Sequence, residues 1–247
     1  MNDDQLAYLQ SELEGLPPEE GLRWLAYNYQ GKVAFSTSFG QEDQVITHFI
    51  FRQKLPIRVF TLDTGRLFAE TYDLFQRTRM KYKQPIETYF PGSEDIEILL
   101  TEKGPYSFYD SVENRKECCF LRKVKPLKRA LKDTTIWVTG LRAAQSDARQ
   151  GLNKVQWDAG FSLFKYNPLI DWTYEHMLDF IDRENIPCNP LHKKGFISIG
   201  CAPCTRAIAP GEDLRAGRWW WEQSHKECGL HTAQATNLPQ TQHTNKL

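Results

Sequence analysis

Short apolar, β-branched runs alternate with amphipathic helical segments along most of the chain. This alternation is typical of β-α-β units, because two parallel strands need a crossover segment, usually a helix, between them. We therefore predict an α/β fold with a doubly wound, mainly parallel sheet. The predicted strands are 33–39, 57–62, 86–90 and 135–139, and the predicted helices are 44–53, 69–83, 95–102, 117–131 and 172–184.

Four of the six cysteines form two close pairs in the sequence. Cys118 and Cys119 are adjacent, and Cys201 and Cys204 form a Cys-x-x-Cys motif. Four thiolates of this kind are sufficient to hold an iron–sulfur cluster. Structural zinc sites use the same donors. The side-chain chemistry therefore predicts a metal centre and leaves iron and zinc open.

A different role is expected for Cys228, which belongs to neither pair. Structural disulfides are disfavoured, because the start Met1-Asn2-Asp3-Asp4-Gln5 lacks the cationic and apolar regions of a signal peptide. Reduced cytosolic proteins seldom carry disulfides. Cys228 is therefore a candidate nucleophile beside a candidate metal centre, and we expect a cytoplasmic redox enzyme.

The charge balance argues against nucleic acid and membranes as partners. The chain has 247 residues with 31 basic and 31 acidic side chains, so its formal net charge is zero. Such a protein has no global field that attracts nucleic acid or anionic lipid. No apolar stretch approaches the roughly 18 to 20 residues of a membrane span.

Polar and glycine-containing loops follow three of the predicted strands. Small hydroxyl residues and glycines let backbone amides approach an anion at a helix N-terminus, so these loops predict a site for a nucleotide or another phosphoester. Plain turns between strands and helices are the alternative reading. The candidate residues are Ser36, Ser38, Phe39 and Gly40 in the first loop, Asp63, Gly65 and Arg66 in the second, and Gly140 and Arg142 in the third, where Gln145, Ser146 and Arg149 follow.

Basic residues near both cysteine pairs extend this candidate site. Lys123 lies one helical turn beyond Cys119 and could face the same way. Arg215 and Arg218 follow the Cys-x-x-Cys motif. A forked guanidinium pairs well with sulfate or phosphate oxygens, so we predict that Arg142, Arg215 and Arg218 contact such a group. Surface arginines beside a tryptophan-rich helix are the alternative.

A family resemblance is carried by six motifs in a fixed order. These are Ser-Phe-Gly-x-Glu-Asp, Leu-Asp-Thr-Gly-Arg, Cys-Cys-x-x-Arg-Lys-Val-x-Pro-Leu, Gly-Leu-Arg-x-x-Gln-Ser, Ser-Ile-Gly-Cys-x-Pro-Cys-Thr-Arg and Glu-Cys-Gly-Leu-His. Together they resemble the assimilatory adenylyl-sulfate (APS) reductases of the wider APS/PAPS reductase family, from about Val33 to His231. The resemblance implies a fold like that of the adenine nucleotide α-hydrolases. It also implies one [4Fe-4S] cluster on Cys118, Cys119, Cys201 and Cys204, and decides iron over zinc.

The resemblance further implies the reaction and its partners. Cys228 would be the nucleophile that attacks adenosine 5′-phosphosulfate and becomes an S-sulfonate, and reduced thioredoxin or a glutaredoxin-like protein would release sulfite. Reduction of the 3′-phosphorylated substrate PAPS, or of both, is an alternative. A tRNA-thiolating enzyme is a remote one, because it would need a Ser-Gly-Gly-x-Asp-Ser loop and a basic surface. The sequence does not determine the oligomeric state, and a homo-oligomer is one possibility.

Two departures and the domain organisation complete the expectations. Cys188 stands where relatives usually have an aromatic residue, and we interpret it as a buried or pocket-edge thiol rather than a fifth ligand. No thioredoxin-like domain is fused, so the reductant is expected to be a separate protein. We predict one reductase domain over 1–231, with N-terminal helices (1–30), a nucleotide-binding core (31–170), a C-terminal segment with the Cys-x-x-Cys and Cys228 (171–231), and a loose polar tail (232–247).

Overall fold

A computed structural model of the chain describes residues 2–145 and 151–222. Its strands are β1 (Val33–Thr37), β2 (Arg58–Leu62), β3 (Glu87–Tyr89), β4 (Ile136–Val138), β5 (Val155–Asp158) and β6 (Leu163–Tyr166). They form one sheet in the order β3-β2-β1-β4-β6-β5. All neighbouring pairs are parallel except β5 and β6, which are antiparallel. The predicted doubly wound, mainly parallel α/β fold is confirmed.

The helices follow the predicted order, and an irregular helical turn interrupts the one predicted over 117–131. The α-helices are α1 (Asn2–Leu13), α2 (Pro18–Asn28), α3 (Gln41–Arg52), α4 (Ala69–Tyr82), α5 (Ser93–Lys103), α6 (Val112–Cys119), α7 (Lys125–Ala130) and α8 (Tyr174–Arg183). A π-helical turn, Phe120–Val124, joins α6 to α7. The helix predicted over 117–131 therefore consists of the end of α6, this turn and α7.

Two local features differ from expectation. Asp171, just before the predicted helix 172–184, is a plausible cap from the sequence, but the Thr173 side chain accepts the capping hydrogen bond from the His176 amide at 3.1 Å. The β5–β6 hairpin was not predicted. In contrast, α1 and α2 lie within the predicted N-terminal helices (1–30), and α2 begins at Pro18, since proline suits the first helical turn.

Alternate residues of the strands point to two apolar layers. In β1, Val33 and Phe35 belong to the larger core cluster, which includes residues of α1, α2, α3 and α8. Ala34 instead packs with Trp137 and with Leu127 of α7 in a second cluster. Because successive strand residues face opposite sides of a sheet, both faces of this sheet are covered by helices.

Two further expectations concern the whole chain. The part of the chain that the structure describes contains no helix long and apolar enough to cross a membrane. The predicted polar tail, residues 232–247, lies outside the described residues. The predicted domain boundaries stay predictions.

Candidate active site

A cavity of about 300 Å³ opens at the carboxyl ends of β1, β2 and β4. Because β1 pairs with β2 on one side and with β4 on the other, this edge is the switch point at which open α/β sheets bind ligands. The structure brings predicted residues from five separate segments of the sequence together there. The predicted site residues that line the cavity are Ser36, Ser38, Phe39, Gly40, Lys123, Gly140, Arg142, Cys201, Arg215 and Arg218.

The first loop, after β1, is fixed by the side chain of Asp43. Its Oδ2 accepts hydrogen bonds from the backbone amide of Ser38 at 2.6 Å and from the Ser38 hydroxyl at 2.7 Å. Phe39 adopts a left-handed backbone with φ of 61°, which is strained for a non-glycine residue. Burial raises the pKa of Asp43 to about 6, while both Ser38 hydrogen bonds lower it. The loop thus has a strained backbone held in place by a buried carboxyl.

The third loop, after β4, packs directly against the first. Arg142 is 2% exposed and its Nε donates to Glu42 Oε1 at 2.9 Å, while its Nη1 donates to the Trp172 carbonyl at 3.2 Å. A Cβ on Gly140 would lie 2.2 Å from Asp43 Oδ1, closer than side chains approach in proteins. Glycine at 140 therefore permits the contact between the two loops. Arg142 lines the cavity as predicted, but it is already paired with a carboxylate.

The second loop, after β2, supports the wall of the cavity. Asp63 Oδ1 accepts from the Gly65 amide at 2.8 Å and from the Tyr72 hydroxyl at 2.9 Å. Arg66 donates to the Pro105 carbonyl at 2.5 Å and lies 5.0 Å from the centre of the Phe108 ring. Asp63, Gly65 and Arg66 are absent from the cavity lining. Their predicted contact with a ligand therefore stays a prediction.

Arg218 is a buried cation at the cavity wall. Only 6% of the residue is exposed, and its Nη1 lies 3.4 Å from Ser198 Oγ and 3.5 Å from the Ile199 carbonyl oxygen. Its Nε has no hydrogen-bond partner among the described residues. A Cβ at Gly200 would be 2.4 Å from Arg218 Nη2. Gly200 thus leaves room for a guanidinium whose hydrogen-bonding capacity is poorly used, which suits an anionic ligand.

Three of the four predicted cluster cysteines share one apolar cluster. Cys201 and Cys204 are buried with Phe108 and Trp219, and the half-buried Cys118 packs against them. Cys118 and Cys119 end α6, where the π-helical turn begins. Such a turn changes the direction of the side chains around it and is frequent at functional sites. It lies where two adjacent thiols would have to serve one centre.

A hydrogen-bond relay connects both cysteine pairs to the end of β2. The Nη1 of Arg122 donates to the Thr64 carbonyl at 2.7 Å. The Thr64 hydroxyl lies 3.2 Å from Cys201 Sγ. The Ala202 amide donates to the Arg66 carbonyl at 2.8 Å. Thr64 also lines the cavity. It therefore links the cavity to Cys201 and, through Arg122, to the π-helical turn that follows Cys118 and Cys119.

Cations and neighbouring thiols act in opposite directions on these cysteines. Burial and the neighbouring Cys201 thiol raise the pKa of Cys204 to about 12, and Lys123 and Arg218 act in the opposite direction. Burial also raises the pKa of Cys118, while Arg122 and Arg66 lower it. Thiolates at these positions would therefore be stabilised by the nearby cations, at a cost in desolvation.

The donor types of this region, rather than their present arrangement, fit a thiolate-ligated group. Cys118, Cys201 and Cys204 are free thiols that pack together, and Cys119 is adjacent to Cys118 in the sequence. Within residues 2–145 and 151–222, His, Cys, Asp and Glu side chains do not form a group of three or more that could hold a metal ion.

Several cavity residues were not predicted from the sequence. Thr64, Trp137, Tyr174 and His192 line the cavity. Trp137 donates from Nε1 to Ser36 Oγ at 2.8 Å, and the Tyr174 hydroxyl donates to Gln41 Oε1 at 3.3 Å. Thr64 lies within the Leu-Asp-Thr-Gly-Arg motif, which was the available signal. The others reach the cavity through tertiary packing.

Comparisons with known proteins show the family of the chain. A phosphoadenosine phosphosulfate reductase domain matches residues 32–207. Adenosine 5′-phosphosulfate reductases from Allochromatium vinosum and Agrobacterium fabrum are 52% and 47% identical to the chain. The alignments cover 81% and 94% of this chain and 78% and 90% of those proteins, respectively. The chain belongs to the APS/PAPS reductase family. It is therefore an oxidoreductase, and the resemblance seen in its motifs is confirmed.

Solved structures support the family fold. A phosphoadenylyl-sulfate reductase from Candida auris, in complex with phosphate, superimposes with a TM-score of 0.70 and 28% identity, over 83% of this chain and 97% of that one. Yeast FAD synthetase, solved with FAD, has a TM-score of 0.51 and 15% identity over 81% of this chain and 67% of that one. The second likeness concerns the fold alone, and together they confirm the adenine nucleotide α-hydrolase-like architecture.

The two remaining cysteines, Cys188 and Cys228, are not among the four predicted cluster ligands. Cys228, the predicted nucleophile, lies outside the described residues, as do Ser146 and Arg149. Cys188 is half-buried and packs against the larger core cluster, away from the three thiols described above. Burial raises its pKa to about 11, so it is a poor nucleophile.

Proposed function

We propose that the chain reduces adenosine 5′-phosphosulfate (APS) to sulfite and AMP in assimilatory sulfate reduction and cysteine biosynthesis. The observation that carries this proposal is the cavity, in which strand-end loops of nucleotide-binding type meet Cys201, Lys123 and Arg218. Relatives named for this reaction, about half identical to the chain, support the choice of substrate. Free, reduced cysteines suit a cytoplasmic enzyme.

We infer that one [4Fe-4S] cluster is held by Cys118, Cys119, Cys201 and Cys204. When bound, it would supply a compact, net negative, thiolate-ligated core next to the cavity. Lys123 and Arg218, which already favour the ionised form of Cys204, would offset that charge and attract the anionic substrate. Thr64 would hold Cys201 in place through its hydroxyl.

In the proposed reaction, Cys228 performs nucleophilic catalysis. Its thiolate attacks the sulfur of APS, the bond from sulfur to the phosphate oxygen breaks, and AMP leaves with the electron pair. A thiolate of reduced thioredoxin or a glutaredoxin-like protein then attacks the Cys228 sulfur, and sulfite leaves with the pair of the S–S bond. The second thiol of the reductant resolves the mixed disulfide, so two thiols are oxidised for each two-electron reduction.

The cavity residues have separate roles in this scheme. The amides at the start of α3, with Ser38 and Gly40, are suited to the phosphate of the AMP leaving group. Arg218 is suited to the sulfate oxygens, because its Nε has no partner and its Nη1 contacts are long. Arg142 is tied to Glu42 and orients the third loop.

Reduction of PAPS is the second candidate. The structural likeness to the Candida auris phosphoadenylyl-sulfate reductase favours it. The four-cysteine set favours APS, because family members dedicated to PAPS lack these cysteines. The relatives named above are APS and PAPS reductases, which favours these two substrates over the tRNA-thiolating alternative.

A sulfite-release assay with APS or PAPS and reduced thioredoxin tests the proposal. The wild-type protein should release sulfite from APS, and protein treated with APS alone should gain about 80 Da on the Cys228 peptide, the mass of one SO₃ group. Cys228→Ser should retain nucleotide binding but form no adduct. Cys188→Ser, a matched thiol control, should turn over normally. An adduct on Cys188, or full turnover by Cys228→Ser, would contradict the mechanism.

A further inference from the structure

His192 places an unused hydrogen-bond acceptor at the cavity. It lies in the short 3₁₀ turn Pro190–Lys194 and lines the cavity together with Thr71. Its Nδ1 is 2.8 Å from the Phe196 carbonyl oxygen. Its Nε2 is buried and has no hydrogen-bond partner among the residues that the structure describes. A buried polar atom without a partner is rare in folded proteins and needs an explanation.

The hydrogen bond to Phe196 fixes the form of the ring. A carbonyl oxygen can only accept, so the proton of the neutral imidazole is on Nδ1. Burial lowers the pKa of His192, while the bond to Phe196 and the carboxylate of Glu42 act in the opposite direction. The ring is therefore neutral near pH 7, and Nε2 is an acceptor that requires a donor.

The neighbouring charges show which part of a nucleotide fits this acceptor. The Glu42 carboxylate raises the pKa of His192. The cavity cations Lys123 and Arg218 instead lower the pKa of Cys204. An anionic group is thus favoured beside the cysteines. Near His192, the Glu42 carboxylate is already paired with Arg142, and the free lone pair of Nε2 favours a neutral donor.

We propose that His192 Nε2 accepts a hydrogen bond from the uncharged part of the nucleotide, a ribose hydroxyl or the 6-amino group of adenine. The proposal rests on the proposed function, because it assumes an adenine nucleotide in the cavity. It makes His192 a residue that determines specificity for the nucleoside, separate from the cations that bind the sulfate and phosphate.

Two substitutions separate recognition from structure. His192→Asn can keep a donor to the Phe196 carbonyl, because the Asn amide nitrogen takes the place of Nδ1, but it removes the acceptor at Nε2. His192→Gln places an amide oxygen near the Nε2 position and is the matched control. Thermal unfolding of both variants reports whether each remains folded.

Calorimetric titration with four nucleotides tests the proposal on purified, full-length protein. The ligands are AMP, 2′-deoxy-AMP, 3′-deoxy-AMP and purine riboside 5′-monophosphate, which lacks the 6-amino group. His192→Asn should weaken AMP binding about tenfold, the scale of one hydrogen bond, and His192→Gln should restore most of it. One analogue should bind both wild type and His192→Asn equally weakly, because the contacted donor is already missing, and that analogue identifies the donor.

The outcomes distinguish this proposal from the proposed function. Equal loss for all four ligands, or no loss for any, would overturn the role of His192 even if the wild type reduces APS. The expected ligand pattern in a protein that releases no sulfite from APS would overturn the reaction and leave the recognition intact. A wild-type protein that binds none of the four nucleotides would overturn the role of His192, and one that also releases no sulfite from APS would overturn both.

Discussion

Gly140→Ala should separate the two loops that frame the cavity. The added Cβ would lie 2.2 Å from Asp43 Oδ1 and 3.2 Å from the Cβ of Glu42. Ordinary contact begins near 3.4 Å, so the Asp43 carboxylate has to move by about 1.2 Å. Its hydrogen bonds to Ser38, at 2.6 and 2.7 Å, cannot both survive such a shift.

The expected cost follows from those two bonds. A hydrogen bond to a charged group contributes about 1.5–3 kcal/mol, so Gly140→Ala should lower the free energy of unfolding by about 2–4 kcal/mol. Urea unfolding of the protein without nucleotide measures this directly. Gly151→Ala is the matched control, because a Cβ there meets nothing within 4 Å and should change stability by no more than about 1 kcal/mol.

A double-mutant cycle assigns the effect to the clash. In an Asp43→Ala background the carboxylate is gone, so Gly140→Ala should cost little, with a coupling free energy of about 2 kcal/mol. Equal stabilities of Gly140→Ala and Gly151→Ala would refute the close packing of the two loops. An unchanged cost in the Asp43→Ala background would refute the role given to Asp43.

Three further outcomes are expected. The raised pKa of Asp43 disfavours its ionised form in the folded state, so its contribution to the free energy of unfolding should fall by about 2 kcal/mol between pH 4.5 and 7. Asp43→Asn should remove this pH dependence in urea unfolding. A wild-type protein without this pH dependence would refute the burial effect. Purified wild type should contain about four irons per chain with a broad brown absorbance. Cys201→Ser should lose this iron, while Cys188→Ser should keep it. One bound zinc per chain without iron would refute the cluster. Arg218→Ala should weaken APS binding by about 1.5–3 kcal/mol in calorimetry, because its guanidinium is assigned to the sulfate oxygens. The exposed Arg183→Ala should have no effect, and equal affinities would return Arg218 to a structural role.

Most of the sheet could be predicted because its central strands are apolar on both faces. β1, β2 and β4 read as continuous buried runs, as parallel strands covered by helices do. The β5–β6 hairpin escaped prediction because charged and polar residues interrupt it. Lys165 is 2% exposed, yet it is buried by an ion pair with Asp158 and by the ring of Trp137. Only tertiary contacts make such a strand stable.

The site could be predicted by residue type but not by pairing. Glycines, hydroxyls and arginines after strands indicated where a phosphoester would bind, and most of those residues line the cavity. Sequence could not show that Arg142 is already bound to Glu42. It also could not show that Asp63 and Arg66 form hydrogen bonds within the protein, outside the cavity lining. Those partnerships depend on distances between residues far apart in the chain.

In the proposed site, one set of cations would serve two negative groups. Lys123 and Arg218 lower the pKa of Cys204, which burial raises, and both residues also line the cavity that would receive an anionic substrate. Charge on the thiols therefore weakens the field available to the substrate, and an anionic ligand weakens the support for the thiolates. Arg122 and Arg66 reduce this competition, because they act on Cys118 from outside the cavity lining. The arrangement gives the cysteine region its own cations, Arg122 and Arg66, separate from Lys123 and Arg218 at the cavity.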